Sequence, residues 1–305
     1  MRSKSINSII LAAAVAVALS APPTFGQSAQ SSQGAVRPVN TTTRITYHGG
    51  PLMYGTSIVY FVWYGCWDEA CRAGNTATQA IIEDFSSNVG GSPYFQMNAM
   101  YPGAFGNTPS GGLLYGGSAF DRYSHGLELT AADIKAIVKD SIESNQLPQD
   151  PFSIYVVLAS ADVSSNATGF CIPGALPHHG VGEALGSQTR YAFVGNALRC
   201  PTVAAPQFVA SNGTLLPTPN GNLAADAMVS TLAHLLNVVV TNPSGGGWFD
   251  RYGLQNADKC VGQFGSTWLV NGARANLKLG GRDYLIQHNW VNSDKKAHCA
   301  INSSL

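Results

Sequence analysis

Two runs without a polar face constrain this chain more than anything else in it: SIVYFVWYG from Ser57 to Gly65 and FSIYVVLA from Phe152 to Ala159. In the first, Ile58, Tyr60, Val62 and Tyr64 alternate with Val59, Phe61 and Trp63, so both sides of the strand are apolar. Strands of this kind belong in the middle of a sheet that is covered on both faces. The covering layers are legible between them. Ala77, Ala80, Ile81 and Phe85 make a helical stripe that ends at Gly90-Gly91. Thr130 with Asp133 forms a capping box for a second helix, whose buried face is Ile134, Ile137, Val138 and Ile142 and which ends near Pro148. Tyr94 to Phe120 reads as an irregular excursion, with Gly111 to Tyr115 its most strand-like part. Ala161 to Pro219 is loop-rich around one strand, Arg190 to Asn196, and a last strand runs from Asp283 to Asn292 with Tyr284, Ile286 and Trp290 on one face. The expected fold class is α/β or α+β, a mixed twisted sheet flanked by helices, in a single domain spanning 44–305.

Ahead of that domain, Arg2 and Lys4 precede an apolar run from Ile9 to Leu19, which reads as a secretory signal peptide over 1–26. Residues 27–43 are Ser, Gln, Ala, Pro and Thr without periodicity and are expected to be a disordered leader. The leading apolar run is short of the roughly 20 residues needed to cross a bilayer, and no later stretch reads as long enough, so no membrane span is expected. With 17 basic against 17 acidic residues the net charge is zero, which excludes the basic stripe of a nucleic-acid binder. Six cysteines, Cys66, Cys71, Cys171, Cys200, Cys260 and Cys299, in a secreted chain imply three disulfides, among fifteen possible pairings. Paired C-x-x-C knuckles for zinc are missing. Sequons at Asn40, Asn166, Asn212 and Asn302 are glycan acceptors in a eukaryotic secretory path.

The chemistry is decided between Asn222 and Cys260. Met228, Leu232, Leu235 and Val239, with Val229, Leu236 and Val240 beside them, define a largely buried helix; Asn220 or Asn222 starts it, Asp226 favours its positive end, and Asn242-Pro243 stops it. His234 sits in its middle. A zinc peptidase helix needs two ligands one turn apart and a carboxylate beside the first, but Leu235 follows His234 and Val238 stands four residues on. The expectation is therefore a core histidine bonded to a neighbour, with no cofactor. His178 and His179 would join His234 as an all-histidine metal site only if both rings of the PHHG segment turned to one ion; loop packing is the preferred reading. No G-x-S-x-G elbow is present, and PSGGGW lacks the Lys and Ser/Thr of a phosphate cradle. Trp67, Trp248, Phe249 and Trp268 are candidates for stacking on sugars, set against their ordinary use in packing.

Taken together, ITYHGGPLMYG, VWYG, ASADV, GFC, YAFVGN, RCP, the helix, TNP, GGWFD, NADKC and YLIQHNW resemble the Exordium or phosphate-induced protein family, over most of the mature chain. In that family the helix reads HE, two residues, then E, with a later acid before Asn-Ala-Asp-x-Cys, a zincin-like arrangement. The resemblance puts Leu235, Val238 and Gln255 where three carboxylates are expected, and leaves His234, Asp250 and Asp258 as a vestigial site. It also implies the pairs Cys171–Cys200 and Cys260–Cys299 with Cys66–Cys71 as a local clip, because the relatives' extra cysteines fall here on Ala175 and Ala204. The function it implies is a secreted, non-enzymatic protein of growth or cell-wall-associated signalling, with an extracellular protein or wall polysaccharide as partner. The alternatives are a zinc metallopeptidase-like hydrolase and a wall glycan-binding module.

Overall fold

Short β1 (Thr46–Tyr47) leads into β2 (Gly55–Tyr64), whose last six residues are all buried, as their two apolar faces require. There follow α1 (Asn75–Val89), β3 (Pro109–Asp121), α2 (Ala131–Glu143), β4 (Ser153–Ala159), β5 (His179–Ala184), β6 (Ser187–Val194), the single turn α3 (Pro201–Ala204), α4 (Leu223–Thr241) and β7 (Trp248–Phe249). Three small antiparallel pairs complete the chain: β8 (Trp268–Val270) with β9 (Ala273–Ala275), β10 (Leu277–Leu279) with β11 (Arg282–Tyr284), and β12 (Asn289–Val291) with β13 (His298–Ala300). This computed structural model describes residues 44–67, 75–165, 168–293 and 297–302. The expected signal peptide and leader, Cys71, and the sequons at Asn40 and Asn166 lie outside the described residues.

The main sheet has the order β3-β2-β4-β6-β5. Its first four strands are parallel, and β5 closes one edge antiparallel to β6. The two apolar runs are neighbours, with Val62 opposite Val157, so the mixed sheet is built around them. Val59, Phe61 and Trp63 of β2 and Val156 and Leu158 of β4 face a core made with Ile82 and Phe85 of α1 and Met228, Leu232, Leu236 and Val239 of α4. On the other face, Tyr60, Val62, Tyr155 and Val157 pack on Ile134, Ile137 and Ile142 of α2. The Thr130–Asp133 capping box is formed as expected. Among the described residues two disulfides, Cys171–Cys200 and Cys260–Cys299, staple the loops, in the pairing the family resemblance implies.

Four local expectations are corrected. The edge strand β3 is much longer than Gly111 to Tyr115; a bulge lets it stay on β2, where Tyr60 pairs with Gly117 after Val59 pairs with Tyr115, and Gly117 (φ 118°) supplies the backbone this needs. α2 stops at Glu143, since Asn145 turns left-handed (φ 59°) and the amides of Gln146 and Leu147 return to the Ser141 carbonyl. Asp283 to Asn292 is not one strand. Between β11 and β12, Asn276 takes both the amide and the carbonyl of Ile286 (2.8 and 2.7 Å), while the His288 amide goes to the Gln263 carbonyl (2.7 Å), so no strand partner is needed there. Finally, α4 is long and apolar enough by itself to cross a membrane, the one such helix among the described residues. Its apolar window is 89% buried inside the protein, as befits a core helix.

Candidate functional site

Asn222 begins α4 by accepting the Ala225 amide (3.0 Å), and its own amide group donates to Thr78 of α1 (3.0 Å), which fixes the helix to its neighbour. Asp226 in the first turn is held by Asn220 at both oxygens (2.7 and 3.0 Å), although burial pushes its carboxyl above the usual range. At the other end Asn242 accepts the Gly247 amide (2.7 Å), which turns the glycine run back. These caps set the rotation of α4. Leu235 (0% exposed) and Val238 (1%) face the core shared with β2, and His234 (2%) faces the C-terminal loops.

His234 is fully engaged. Its Nε2 lies 2.8 Å from Asp258 Oδ1 and its Nδ1 2.9 Å from Gln287 Nε2. The Gln287 amide also donates to the Ala257 carbonyl (2.8 Å), and turning it over would set oxygen against oxygen. On this network Gln287 donates to Nδ1, so His234 is assigned as the neutral Nε2–H tautomer, donating to Asp258. The second Asp258 oxygen accepts the Gln255 amide (2.8 Å).

The segment Asn256 to Cys260 supplies this carboxylate and uses nearly every side chain it has. Asn256 contacts Asn98 and the Asn237 carbonyl (both 3.3 Å) in a buried amide cluster, where Asn237 accepts from Asn98 (2.8 Å) and Asn289 (3.1 Å) and donates to Tyr94 (3.1 Å). Lys259, wholly buried, reaches Asp250 (3.0 Å) and lies over the Trp290 ring at 4.8 Å. Cys260 is bridged to Cys299. Asp250 therefore does not join His234. It accepts the Tyr252 and Leu254 amides (2.8 and 3.0 Å) and balances Lys259. The amide cluster and the lysine were not singled out from the sequence; the Asn and Lys positions of NADKC, in a turn anchored by a bridged cysteine, were the available signal.

His179 opens β5 rather than lying in a turn, and His178 stands just ahead of the strand with its ring centroid 5.9 Å from that of Tyr191. This strand was missed because HGVGEA carries no apolar pattern. His179 contacts Gln255 Nε2 (3.1 Å), and burial pushes its pKa down to about 4 against the opposing pull of Asp258. Three solvent-sealed atoms here have no hydrogen-bond partner: His178 Nε2, His179 Nδ1 and Gln255 Oε1. Among the described residues, no three His, Cys, Asp or Glu side chains converge as a metal-holding group.

A cavity of about 1100 Å³ opens beside His234, outside the C-terminal end of β6. Ser230, His234, Asp258 and Gln287 give it a polar floor, and the segment 168–178, stapled by Cys171–Cys200, forms one wall. Ala175 and Ala204, where the family resemblance leads one to expect further cysteines, both line it.

Of the aromatic candidates, Trp67 is core and donates to the Tyr64 and Leu158 carbonyls (3.0 and 3.1 Å). Trp248 packs between Tyr47 and Tyr101 and donates to the Pro102 carbonyl, while Phe249 stacks on His48 at 3.7 Å. Trp268 alone of the four is well exposed. Asn212 is exposed in a turn and Asn302 is half-buried.

Comparison with known proteins bears directly on this site. The phosphate-induced protein 1 conserved region matches residues 45–296, a span that takes in the sheet, α4, Asp258 and Gln287. Among curated proteins the chain is 28% identical to Protein EXORDIUM-like 3 of Arabidopsis thaliana, over 84% of this chain and 82% of that protein. It is 29% identical to Protein EXORDIUM of the same plant (72% and 74% covered), and 26% identical to Protein PHOSPHATE-INDUCED 1 of Nicotiana tabacum (72% of each). No solved structure matches.

Proposed function

We propose that this chain, which belongs to the phosphate-induced protein 1 family, is a secreted, non-catalytic protein that acts outside the cell in growth or cell-wall-associated signalling. The observation that carries the non-catalytic reading is the commitment of His234: each ring nitrogen has a hydrogen-bond partner, and the positions where a peptidase helix needs carboxylates are core leucine and valine. Zinc does not fit this donor set. To bind at Nε2 it would have to displace the Asp258 bond, and one turn along α4 it would meet Val238, which has no lone pair to offer. The extracellular assignment is supported by the disulfides, which persist in oxidising compartments, and by the family. Elemental analysis of the purified protein, with a peptidase assay before and after zinc loading, tests the reading. We expect no stoichiometric zinc and no hydrolysis; one tightly held zinc per chain overturns it.

A zincin-like hydrolase is the second reading. It is favoured by the element order, strand, helix, strand, helix, strands and then the histidine helix, and by the gathering of His179, His234 and Asp258 in one neighbourhood. The same zinc and peptidase measurements decide between the two.

A further inference from the structure

The cavity beside His234 has walls and a floor of opposite character. Phe170, Phe193, Val203, Leu254 and Phe264 line the walls, and Ile172, Leu176, Tyr252 and Val261 remain exposed at its edge. Large apolar side chains gathered around one opening mark a place where something apolar docks. The floor is polar, and its electrostatics are one-sided. Asp258 is the one formally charged side chain among the lining residues, and its imidazole partner is neutral in the assigned network, so no cation balances it there. The nearest buried ammonium, Lys259, is already paired with Asp250. Each Asp258 oxygen accepts one hydrogen bond from the groups named above and keeps acceptor capacity for another. A cavity of this volume is slightly larger than those that usually enclose drug-sized molecules, and it lies outside the carboxyl end of β6, on the side of the sheet where open α/β sheets bind their ligands.

We propose that this cavity binds a small amphipathic molecule with an apolar body and a hydrogen-bond-donating end, an alcohol or an amine, which docks its donor on Asp258 and its body against the Phe170–Phe193–Phe264 walls. The proposal rests on the non-catalytic reading of the site, since it treats Asp258 as an anchor for a ligand rather than as part of a hydrolytic centre. It also excludes anions. A carboxylate or sulfate end would face an unbalanced negative charge in a desolvated floor, where repulsion is strong.

A head-group series on a common chain tests this. Nile red bound to the full-length secreted protein at pH 7 is displaced by 1-decylamine, 1-decanol or decanoate, each below its micellar concentration. We expect the amine and the alcohol to displace the dye at concentrations at least tenfold below decanoate, and Asp258→Asn to bring the three within about threefold of one another. Val203→Trp should abolish binding of all three by filling the cavity. A thermal melt accompanies it, and Thr202→Trp at the opening is the deciding variant if the first fails to fold. Equal displacement by all three head groups in the unmodified protein, a head-group order untouched by Asp258→Asn, or undiminished binding when the cavity is blocked would each overturn the site. The two readings fail separately: zinc-dependent hydrolysis with the series intact removes the non-catalytic assignment alone, and a flat series in a zinc-free, inactive protein removes the ligand site alone.

Discussion

At the scale of single residues, the most consequential group is Lys259, because a fully buried ammonium is tolerable only while its partner is present. Lys259→Met should destabilise the protein by about 3–5 kcal/mol, since it leaves Asp250 charged and buried. Adding Asp250→Asn should recover a good part of that, because Asn keeps an oxygen for the Tyr252 and Leu254 amides. Urea titrations of both single variants and the double variant measure the coupling; purely additive losses would show that the pair does not act as a unit. His179 gives a pH signature. Its folded pKa, about 4, lies below the ordinary value of 6.5, so between these values the unfolded chain binds more protons. Its contribution is complete above about pH 6.5 and is lost as the pH falls toward 4. Burial lowers His178 and His288 too, so they act in the same direction. Stability should therefore fall between pH 6.5 and 5, ahead of the carboxylates, and more shallowly in His179→Gln; identical slopes would contradict this. His234 itself was readable in advance as a core histidine, because Leu235 and Val238 deny it a zinc helix. Of its partners, Asp258 was grouped with it only through the family resemblance, and Gln287, 53 residues away, is announced by no local pattern.

Among the elements, α4 carries the test of whether the site is decayed. Leu235 and Val238 pack against the β2 core, so Leu235→Glu with Val238→Glu places two carboxyls where neither has a partner. Each costs on the order of several kcal/mol, against a total stability of ~5–15 kcal/mol. The double variant should be largely unfolded without metal, and zinc should rescue it weakly. Melting curves with and without zinc report both; an unchanged melting temperature would mean that these positions open to solvent. The same helix shows which elements a sequence discloses. α4, α2, β2 and β4 were legible because each writes its burial as a strong period, by caps and a 3.6-residue stripe or by apolar runs on both faces. The rest were obscured by physical causes that differ from case to case. β3 spends four glycines on a bulged edge, and β5 carries two glycines in six residues, with its register set by β6. Leu285 to His288 reads as strand but satisfies its backbone on Asn276 and Gln263 side-chain and main-chain groups instead of a ladder.

For the whole molecule, the disulfides Cys171–Cys200 and Cys260–Cys299 divide the labour of holding the site. Cys171–Cys200 closes a separation of 29 residues and Cys260–Cys299 one of 39, so in the chain-entropy description each stabilises the fold by roughly 3–4 kcal/mol. Equal global losses would conceal different local ones. The first bridge ties the wall segment 168–178 to the turn before α3, while β6 holds the wall through the Phe193 amide on the His178 carbonyl and the Phe170–Phe193 ring contact. The second anchors the turn that presents Asp258, two residues from Cys260, and joins it to β13. Replacing Cys171 and Cys200 with Ala should therefore speed amide exchange across 168–178 while α4 and the Asp258 turn stay protected. Replacing Cys260 and Cys299 should speed exchange from Asn256 to Gln263 and loosen the His234–Asp258 bond. Hydrogen-exchange mass spectrometry on the two double variants, at temperatures set equally far below their melting points, separates these outcomes. If both variants loosened the same segments, the bridges would act only through the unfolded chain, and the wall and the floor of the cavity would not be independent parts.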